Sequence, residues 1–234
     1  MGTKYNPNIV RDGLVYYIDA ANTRSYSGAG LTVNGLVGGI GGTLVNGVGF
    51  GTTNAGYFIF DGTNDFLNIP SSTLQFGTSD FTIQFWFKVP TILNDGKTIF
   101  SDGWGLTNGG FLFYTYKVGS DERFLYYSTS TNGVWDIADS KVILLAPSYN
   151  TWYNVAVLRI GNNFTLYLDG RSVNTFSSSL SLRDTGYPYT FGADSSASRA
   201  CAISLGNLLI YKNKGLSATE ILQNYNATKM RYGL

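Results

Sequence analysis

The chain has 234 residues, with 16 basic and 15 acidic side chains and a net charge of +1. Charged residues make up only 13% and no segment concentrates Lys or Arg, which excludes a nucleic-acid-binding surface. Its only cysteine, Cys201, excludes an internal disulfide, and no apolar run approaches the roughly 18 residues of a membrane span. The N-terminus lacks the apolar region of a signal peptide. We therefore expect assembly in a reducing cytoplasm, with neither nucleic acid nor membrane as partner.

Alternating strand patterns follow one another along the chain. In DFTIQFWFKVP, Phe81, Ile83 and Phe85 face one way while Thr82 and Gln84 face the other, which predicts a strand with one buried face. Further strands are predicted at 14–18, 43–45, 57–60, 66–69, 97–101, 111–116, 123–128, 141–145, 151–160, 163–168, 189–192 and 200–211. Asp-Gly and Asn-Gly pairs punctuate them, so we predict an all-β fold, a two-sheet antiparallel jelly-roll sandwich.

One short helix is predicted near the C-terminus. Ser217 is a suitable N-cap and Glu220, three residues later, completes a capping box, while Leu216 and Ile221 can form a hydrophobic staple. The predicted organisation is an N-terminal arm at 1–12, one jelly-roll domain at 13–225 with the helix at about 218–225, and a C-terminal tail at 226–234.

The segment FDGTNDFLNI at 60–69 has two interpretations. Asp61, Asn64 and Asp65 could supply three oxygen ligands to calcium. The same residues are those required by a tight hairpin between the strands at 57–60 and 66–69. Turn chemistry accounts for every residue, so we predict a hairpin and no cofactor, with calcium as the alternative.

Catalytic groups are scarce in this sequence. There is no histidine, which removes Ser-His-Asp and Cys-His nucleophile pairs and His-ligated zinc. Glycoside hydrolysis needs two carboxylates on facing positions, but the only glutamates are Glu122 in a turn and Glu220 in the capping box. Asp136 and Asp139 are the nearest approach to a pair, and a polar loop explains them better. We therefore predict no catalytic residue and no enzyme.

Aromatic residues in loops are the candidates for sugar binding. Trp104 and Trp135 lie in predicted loops beside Asp and Asn, and Tyr26 lies in NTRSYSG. Exposed rings next to amides and carboxylates are typical platforms for sugars. In a chain that is 15% aromatic, rings that cover the edge of the sandwich are the competing interpretation.

Several motifs together resemble a known group of proteins. The opening VRDGLVYYIDAANTRSYSGAG, the segment FDGTNDFLNI, the strand FTIQFWFK, the segment TWYNVAVLRIGNNFTLYLDGRSV and the closing LSATEILQNYNATKMRYGL occur in order. In this order they resemble the concanavalin A-like, laminin-G-like jelly-roll proteins of tailed bacteriophages, especially virion structural proteins of phages that infect cyanobacteria.

The resemblance implies a non-enzymatic structural protein of the virion, assembled in the host cytoplasm. It would decorate or join parts of the capsid, neck, tail or fibre, with other phage proteins or copies of itself as partners. A carbohydrate-binding adhesin that contacts a cell-surface glycan is the alternative, and a glycoside hydrolase is the remote one. The termini are the expected partner contacts, through Tyr5, Asn6, Met230, Arg231 and Tyr232.

Overall fold

The computed structural model describes residues 7–70, 74–89, 94–103, 109–131 and 134–234. Within these ranges the chain forms two antiparallel sheets and one α-helix, as the sequence predicts. No helix in this described part is both long and apolar enough to cross a membrane.

The first sheet contains the long strands of the chain. Its order is β14–β13–β12–β7–β16–β5–β4, and β1 also pairs with β16. The strands are Leu14–Asp19 (β1), Gly49–Gly51 (β4), Tyr57–Asp61 (β5), Phe81–Lys88 (β7), Trp152–Ile160 (β12), Asn163–Leu168 (β13), Arg171–Ser177 (β14) and Ala202–Lys212 (β16).

The second sheet lies against the first and has the order β11–β10–β9–β8–β15–β6–β3–β2. Its strands are Thr32–Val33 (β2), Gly42–Val45 (β3), Phe66–Ile69 (β6), Thr98–Ser101 (β8), Phe111–Val118 (β9), Asp121–Ser128 (β10), Ala138–Leu145 (β11) and Tyr189–Phe191 (β15). The strands β2, β4 and β14 are not predicted from the sequence. The first two are only two and three residues long, and β14 is a largely exposed edge strand.

The inner faces of both sheets form one aromatic core. On β7, Phe81, Ile83, Phe85 and Phe87 point inward, as their alternation predicts. Phe85 meets Phe113 of the second sheet at a ring-centroid distance of 5.1 Å and an angle of 87°. Edge-to-face contacts of this kind add specificity to the area that the rings bury.

The outer face of β7, in the centre of the first sheet, is also buried, which the sequence does not predict. Thr82 and Gln84 have no exposed surface and Trp86 has 1%, although all three alternate with the core residues. The helix α1 (Ala218–Thr228) covers them and begins with the predicted capping box at Ser217. Strand β7 therefore has two buried faces, because the helix provides a second apolar layer.

A polar network fastens the helix to this face. Asn224 of α1 donates to Gln84 Oε1 at 2.9 Å and accepts from the main-chain N–H of Val10 at 2.8 Å. Gln84 in turn donates to Asn154 Oδ1 at 2.8 Å, and the Tyr211 hydroxyl donates to the carbonyl of Val10. The described end of the N-terminal arm is thus held by the domain instead of extending from it.

The C-terminal tail is also part of the domain. Residues Lys229–Tyr232 form a 3₁₀ turn directly after α1. Tyr232 is 6% exposed and packs on Trp86, while Arg231 forms an ion pair with Asp19 at 2.6 Å. The expectation that Arg231 and Tyr232 contact a partner is therefore corrected, since their side chains are used inside the molecule.

The predicted hairpin at 60–69 is also wrong. Strand β5 pairs with β4 and β16 in the first sheet, whereas β6 pairs with β3 and β15 in the second. The connection at 62–65 therefore crosses from one sheet to the other. Alternating apolar residues on both sides of an Asp-Gly turn give the same sequence pattern in a hairpin and in a crossing of this kind.

Candidate functional site

The outer face of the second sheet carries a group of aromatic side chains. Phe111 and Phe113 of β9 point into the core, so Tyr114 lies on the opposite face. Tyr127 of β10 lies on the same face, because it is opposite Leu112 in the ladder and follows the inward Tyr126. Trp135 comes from the segment between β10 and β11. We refer to Tyr114, Tyr127 and Trp135 as the aromatic cluster.

The three rings of the aromatic cluster contact one another. Tyr127 and Trp135 have centroids 5.3 Å apart, tilted by 53°, and Tyr114 meets Tyr127 edge-to-face at 6.0 Å. Tyr114 is 8% exposed, while Tyr127 and Trp135 are half-buried. The cluster therefore offers two partly exposed rings that are supported from the side by a third.

Polar groups surround these rings. Arg199 donates from Nη1 to the Tyr114 hydroxyl at 3.0 Å and its Nε lies 3.9 Å from Asp194 Oδ2. Burial raises the pKa of Tyr114 and the Arg199 guanidinium opposes that rise. On the other side, Ser140 Oγ lies 3.1 Å from the Tyr127 hydroxyl. The rings are thus bordered by a guanidinium and several hydroxyl groups.

The loop that carries Trp135 is positioned by its neighbour. Asp136 accepts from the main-chain N–H of Ser130 at 2.7 Å and from the Ser130 hydroxyl at 2.6 Å. Burial alone would raise the pKa of Asp136, but the hydrogen bonds from Ser130 and Thr129 together lower it. The carboxylate therefore stays ionised and fixes the loop, which leaves Trp135 preorganised on the surface.

A platform of this kind can bind a sugar ring. The apolar face of a pyranose or furanose can rest on an aromatic ring, while its hydroxyl groups bond to the polar side chains around it. Arg199 provides donors and Asp139, exposed beside Ser140, provides acceptors. On the other outer face, that of the first sheet, α1 covers the central strands. A concave region of about 540 Å³ beside the helix includes Tyr225, but that ring is already engaged by Trp86 and Lys229.

A separate concave region lies at the far edge of the second sheet. It has a volume of about 730 Å³ and is lined by residues from β2, β3 and β6 and their connections, including Asn34, Ile40 and Asn68. Its lining has no aromatic or charged side chain. The aromatic cluster is therefore the better candidate for a sugar platform.

The sequence-predicted ligand residues have different outcomes. Trp135 lies in the aromatic cluster. Trp104 lies outside the described residues. Tyr26 is 5% exposed, meets Phe58 edge-to-face at 5.0 Å and donates to the carbonyl of Gly30 at 3.0 Å. Tyr26 is thus a core residue, and its expected role in ligand binding is corrected.

Tyr114, Tyr127 and Arg199 are members of the site that the sequence does not predict. The alternation in FLFYTY places Tyr114 on the face opposite Phe111 and Phe113, so the position of Tyr114 on the outer face could have been predicted. Arg199 lies about 85 residues further along the chain. Its main-chain carbonyl accepts from the N–H of Thr98 in β8, and Thr98 is opposite Tyr114 of β9. Of the expected partner contacts at the termini, Met230 is 66% exposed, and Tyr5 and Asn6 lie outside the described residues.

Glu122 and the residues proposed for calcium are separate from this cluster, whereas Asp136 and Asp139 border it. Glu122 accepts from Lys117 at 2.6 Å and from the Tyr149 hydroxyl. Asp61 and Asn64 are exposed, whereas Asp65 is 3% exposed. Within the described ranges, no three His, Cys, Asp or Glu side chains come together in a group suited to a metal ion.

Comparison with known proteins identifies the architecture. A family model described as the concanavalin A-like lectin/glucanases superfamily matches residues 61–222. No curated protein sequence matches the chain. Among solved structures, domain 4 of AbnA, an extracellular GH43 arabinanase from Geobacillus stearothermophilus solved with arabinotriose, superposes with a TM-score of 0.68 at 12% identity, over 91% of this chain and 98% of that domain.

Two further structures share the fold. The binding domain of Paraclostridial Mosquitocidal Protein 1 has a TM-score of 0.65 at 15% identity, over 92% of this chain and 52% of that one. Trypanosoma rangeli sialidase in complex with sialic acid has a TM-score of 0.68 at 13% identity, over 97% of this chain and 36% of the sialidase. The chain thus spans about half of the first protein and about a third of the second. At these identities the likeness concerns the fold alone.

Proposed function

The chain belongs to the concanavalin A-like lectin/glucanase superfamily, and we propose that it is a non-catalytic carbohydrate-binding domain whose ligand rests on the aromatic cluster. The observation that carries the proposal is the pair of partly exposed rings, Tyr127 and Trp135, on the sheet face that no helix covers. An arabinanase domain of the same fold has been solved with arabinotriose, which fits a sugar as the ligand class.

The absence of catalysis in this proposal rests on the carboxylates. Glu122 is engaged by Lys117 and Tyr149, and Glu220 closes the capping box with Ser217. Neither glutamate lies in the aromatic cluster. The aspartates beside the cluster, Asp136 and Asp139, already accept hydrogen bonds from Ser130 and Ser140. A domain without a free acid–base pair at its sugar platform would bind the glycan and leave it intact.

The experiment is a glycan array with the purified protein, followed by calorimetric titration of the glycans that bind. Trp135→Ala and Tyr127→Ala should each weaken binding by about tenfold or more, because each removes a stacking ring. Tyr187→Ala is the matched control, since Tyr187 is an aromatic residue with 46% exposure outside the cluster and should bind as the unchanged protein does. A silent array, or binding that survives both cluster substitutions, would overturn the proposal.

We further propose that the domain is displayed on the particle of a tailed bacteriophage, with phage structural proteins or copies of itself as partners. The opening and closing motifs support this origin. Leu222, Met230 and Leu234, near the C-terminus, are 43%, 66% and 46% exposed, which suits a contact surface on that side. A density map of the intact particle tests this role, and absence of the protein from purified particles would exclude it.

A further inference from the structure

One end of the sandwich contains a concave region of about 770 Å³. At this end β7 begins, and β10, β12 and β16 end. The region is lined by parts of two connections, 75–79 before β7 and 180–184 between β14 and β15, together with Ser130 and Lys212. The N–H of Leu182 donates to the carbonyl of Gly77 at 2.8 Å, so the two connections are joined to each other. We refer to this region as the end pocket.

Positively charged side chains come to this end from both sheets. Arg159 of β12 and Lys212 of β16 both lie opposite Phe81 of β7 in the ladder. Phe81 points into the core, and opposite residues of an antiparallel pair share a face, so both cations point to the space between the sheets. On the side of the second sheet, the N–H of Arg183 donates to the carbonyl of Thr129, directly after β10, at 2.9 Å. Lys212 and Arg183 line the end pocket.

Arg159 lies buried directly beneath the end pocket. It is 1% exposed and its guanidinium donates to the carbonyls of Gly77 at 3.1 Å and Leu180 at 2.9 Å, two residues that line the pocket. Its other bonds are also to main-chain carbonyls, and no ion pair joins it to a carboxylate in the described part of the chain. Burial lowers the pKa of Arg159, and the negative charge of Asp80 opposes this. A buried cation that is compensated mainly by carbonyl dipoles favours an anion nearby.

The neutral groups of the end pocket include further donors. The hydroxyl groups of Ser79 and Ser181 belong to its lining, and a hydroxyl can donate to an anionic oxygen. Asp184 is the one carboxylate among the described lining residues. It is exposed and accepts from the N–H of Gly186 at 3.0 Å. Cations and hydroxyl groups therefore outnumber the single group that would repel an anion.

We propose that the end pocket binds a small phosphate monoester, with the phosphate group between Arg183 and Lys212. A guanidinium and an ammonium both form strong charge-assisted hydrogen bonds to phosphate oxygens, and the buried charge of Arg159 adds to the attraction. A phosphate group offers three acceptor oxygens and a carboxylate only two, so donors from several segments fit phosphate better.

The end pocket also has room for the organic part of such a ligand. Its volume lies within the range of about 300–1,000 Å³ that is typical of small-molecule sites. Phe76 and Leu180 supply apolar side chains to the lining, on which the organic part would rest.

This site is independent of the proposed glycan platform. Among the described residues, no ring of the aromatic cluster lines the end pocket, so either ligand can bind when the other does not. Ser130 is the lining residue that also positions Trp135, through its hydrogen bond to Asp136. Ser130 is therefore left unchanged in the variants that test the end pocket.

The test is calorimetric titration of the full chain with glycerol 3-phosphate, at constant ionic strength and in a buffer without phosphate. One molecule should bind per chain, inorganic phosphate should bind more weakly at the same site, and glycerol should not bind. Arg183→Gln and Lys212→Gln should each weaken binding of glycerol 3-phosphate about tenfold, because each removes a charge-assisted contact. Arg24→Gln is the matched control, since Arg24 is an exposed arginine between β1 and β2 and should leave the affinity unchanged.

A third variant should change the affinity in the opposite direction. Asp184→Asn removes the negative charge of the lining and can keep the bond from Gly186, so it should bind glycerol 3-phosphate about two- to threefold more tightly. A gain in affinity cannot result from a loss of structure. This variant therefore keeps the test decisive if Arg183→Gln or Lys212→Gln does not fold.

Several results would overturn the proposal. One is the absence of heat with both glycerol 3-phosphate and inorganic phosphate. Another is an unchanged affinity in folded Arg183→Gln and Lys212→Gln, or an equal loss in Arg24→Gln, which would show a general effect of charge. Weaker or unchanged binding by Asp184→Asn would contradict the place assigned to the phosphate group.

Discussion

The ring of Tyr232 stacks on the indole of Trp86, with centroids 4.3 Å apart and planes 25° from parallel. Trp86 lies in the centre of the first sheet, whereas Tyr232 is two residues from the end of the chain. Trp152 adds a second contact to Tyr232 at 4.6 Å. The C-terminal segment is therefore a structural part of the layer that covers the first sheet. Substitution of Tyr232 tests how much this segment stabilises the fold.

Removing the Tyr232 ring should destabilise the protein. Tyr232→Ala should lower the free energy of unfolding by about 3–5 kcal/mol, because it leaves a cavity between two tryptophans. Tyr232→Phe should cost less than about 1 kcal/mol, since the Tyr232 hydroxyl has no partner among the described residues. Urea unfolding measures both. Equal losses in the two variants, or a loss above about 0.5 kcal/mol in the exposed control Tyr187→Ala, would contradict the assignment.

The ion pair between Arg231 and Asp19 should contribute more than an ordinary surface pair. Arg231 Nη1 lies 2.6 Å from Asp19 Oδ1, and the same guanidinium donates to the carbonyls of Asn54 and Gly56. Arg231→Ala should therefore cost about 3 kcal/mol, since it leaves a largely buried carboxylate unpaired.

Comparison with lysine and with a surface arginine sharpens that prediction. Arg231→Lys keeps the charge but loses the planar set of guanidinium donors. Its free energy of unfolding should therefore lie between those of the unchanged protein and Arg231→Ala. The exposed Arg24→Ala should change unfolding by less than about 0.5 kcal/mol. The denaturant midpoints of the variants check this order of stability. A lysine variant as stable as the unchanged protein would argue against a role for the several guanidinium donors.

Trp135 and Trp152 should respond differently to the same substitution. Trp152 is 6% exposed and packs against Tyr232, so Trp152→Ala should cost about 3–5 kcal/mol. Trp135 is half-buried on the surface, and Trp135→Ala should cost less than about 1 kcal/mol. Thermal unfolding compares the two. A large loss in Trp135→Ala would show that this ring supports the fold and would weaken its assignment to ligand binding.

Asp102 should make stability depend on pH. Burial raises its pKa to about 8, although hydrogen bonds from the N–H groups of Phe111 and Gly110 oppose the rise. The folded chain therefore binds the proton of the Asp102 carboxyl more tightly than the unfolded chain, in which the pKa is 3.8. The stability that this tighter proton binding provides is fully present below the unfolded pKa and is lost as pH rises towards about 8.

The matched comparison for this effect is Asp102→Asn. An asparagine can accept the same two hydrogen bonds without a charge, so its Tm should fall less than that of the unchanged protein between about pH 4 and pH 8. Asp184→Asn, at an exposed aspartate, should follow the unchanged protein. Parallel curves for Asp102→Asn and the unchanged protein would show that Asp102 is ionised throughout.

Prediction from the sequence succeeded where a pattern is local. The alternation of Phe81, Ile83 and Phe85 determined a strand and its inward face, and Ser217 with Glu220 determined the start of the helix. These signals depend on neighbours within a few residues, so the sequence is sufficient. The repeated strands and turns likewise led to the two-sheet sandwich.

Only the tertiary structure decided which strands pair and which faces are covered. FDGTNDFLNI has the local pattern of a hairpin, yet pairing with distant partners, β16 and β15, assigns its two strands to different sheets. The outer face of β7 is buried because α1, more than a hundred residues later, lies over it. The aromatic cluster depends on the same kind of contact, since sheet register brings Arg199 to Tyr114. The sequence alone determined the local elements, while long-range pairing determined the sites. Strands pair through main-chain N–H and C=O groups, which are the same in every strand, so the sequence of one strand does not specify its partner.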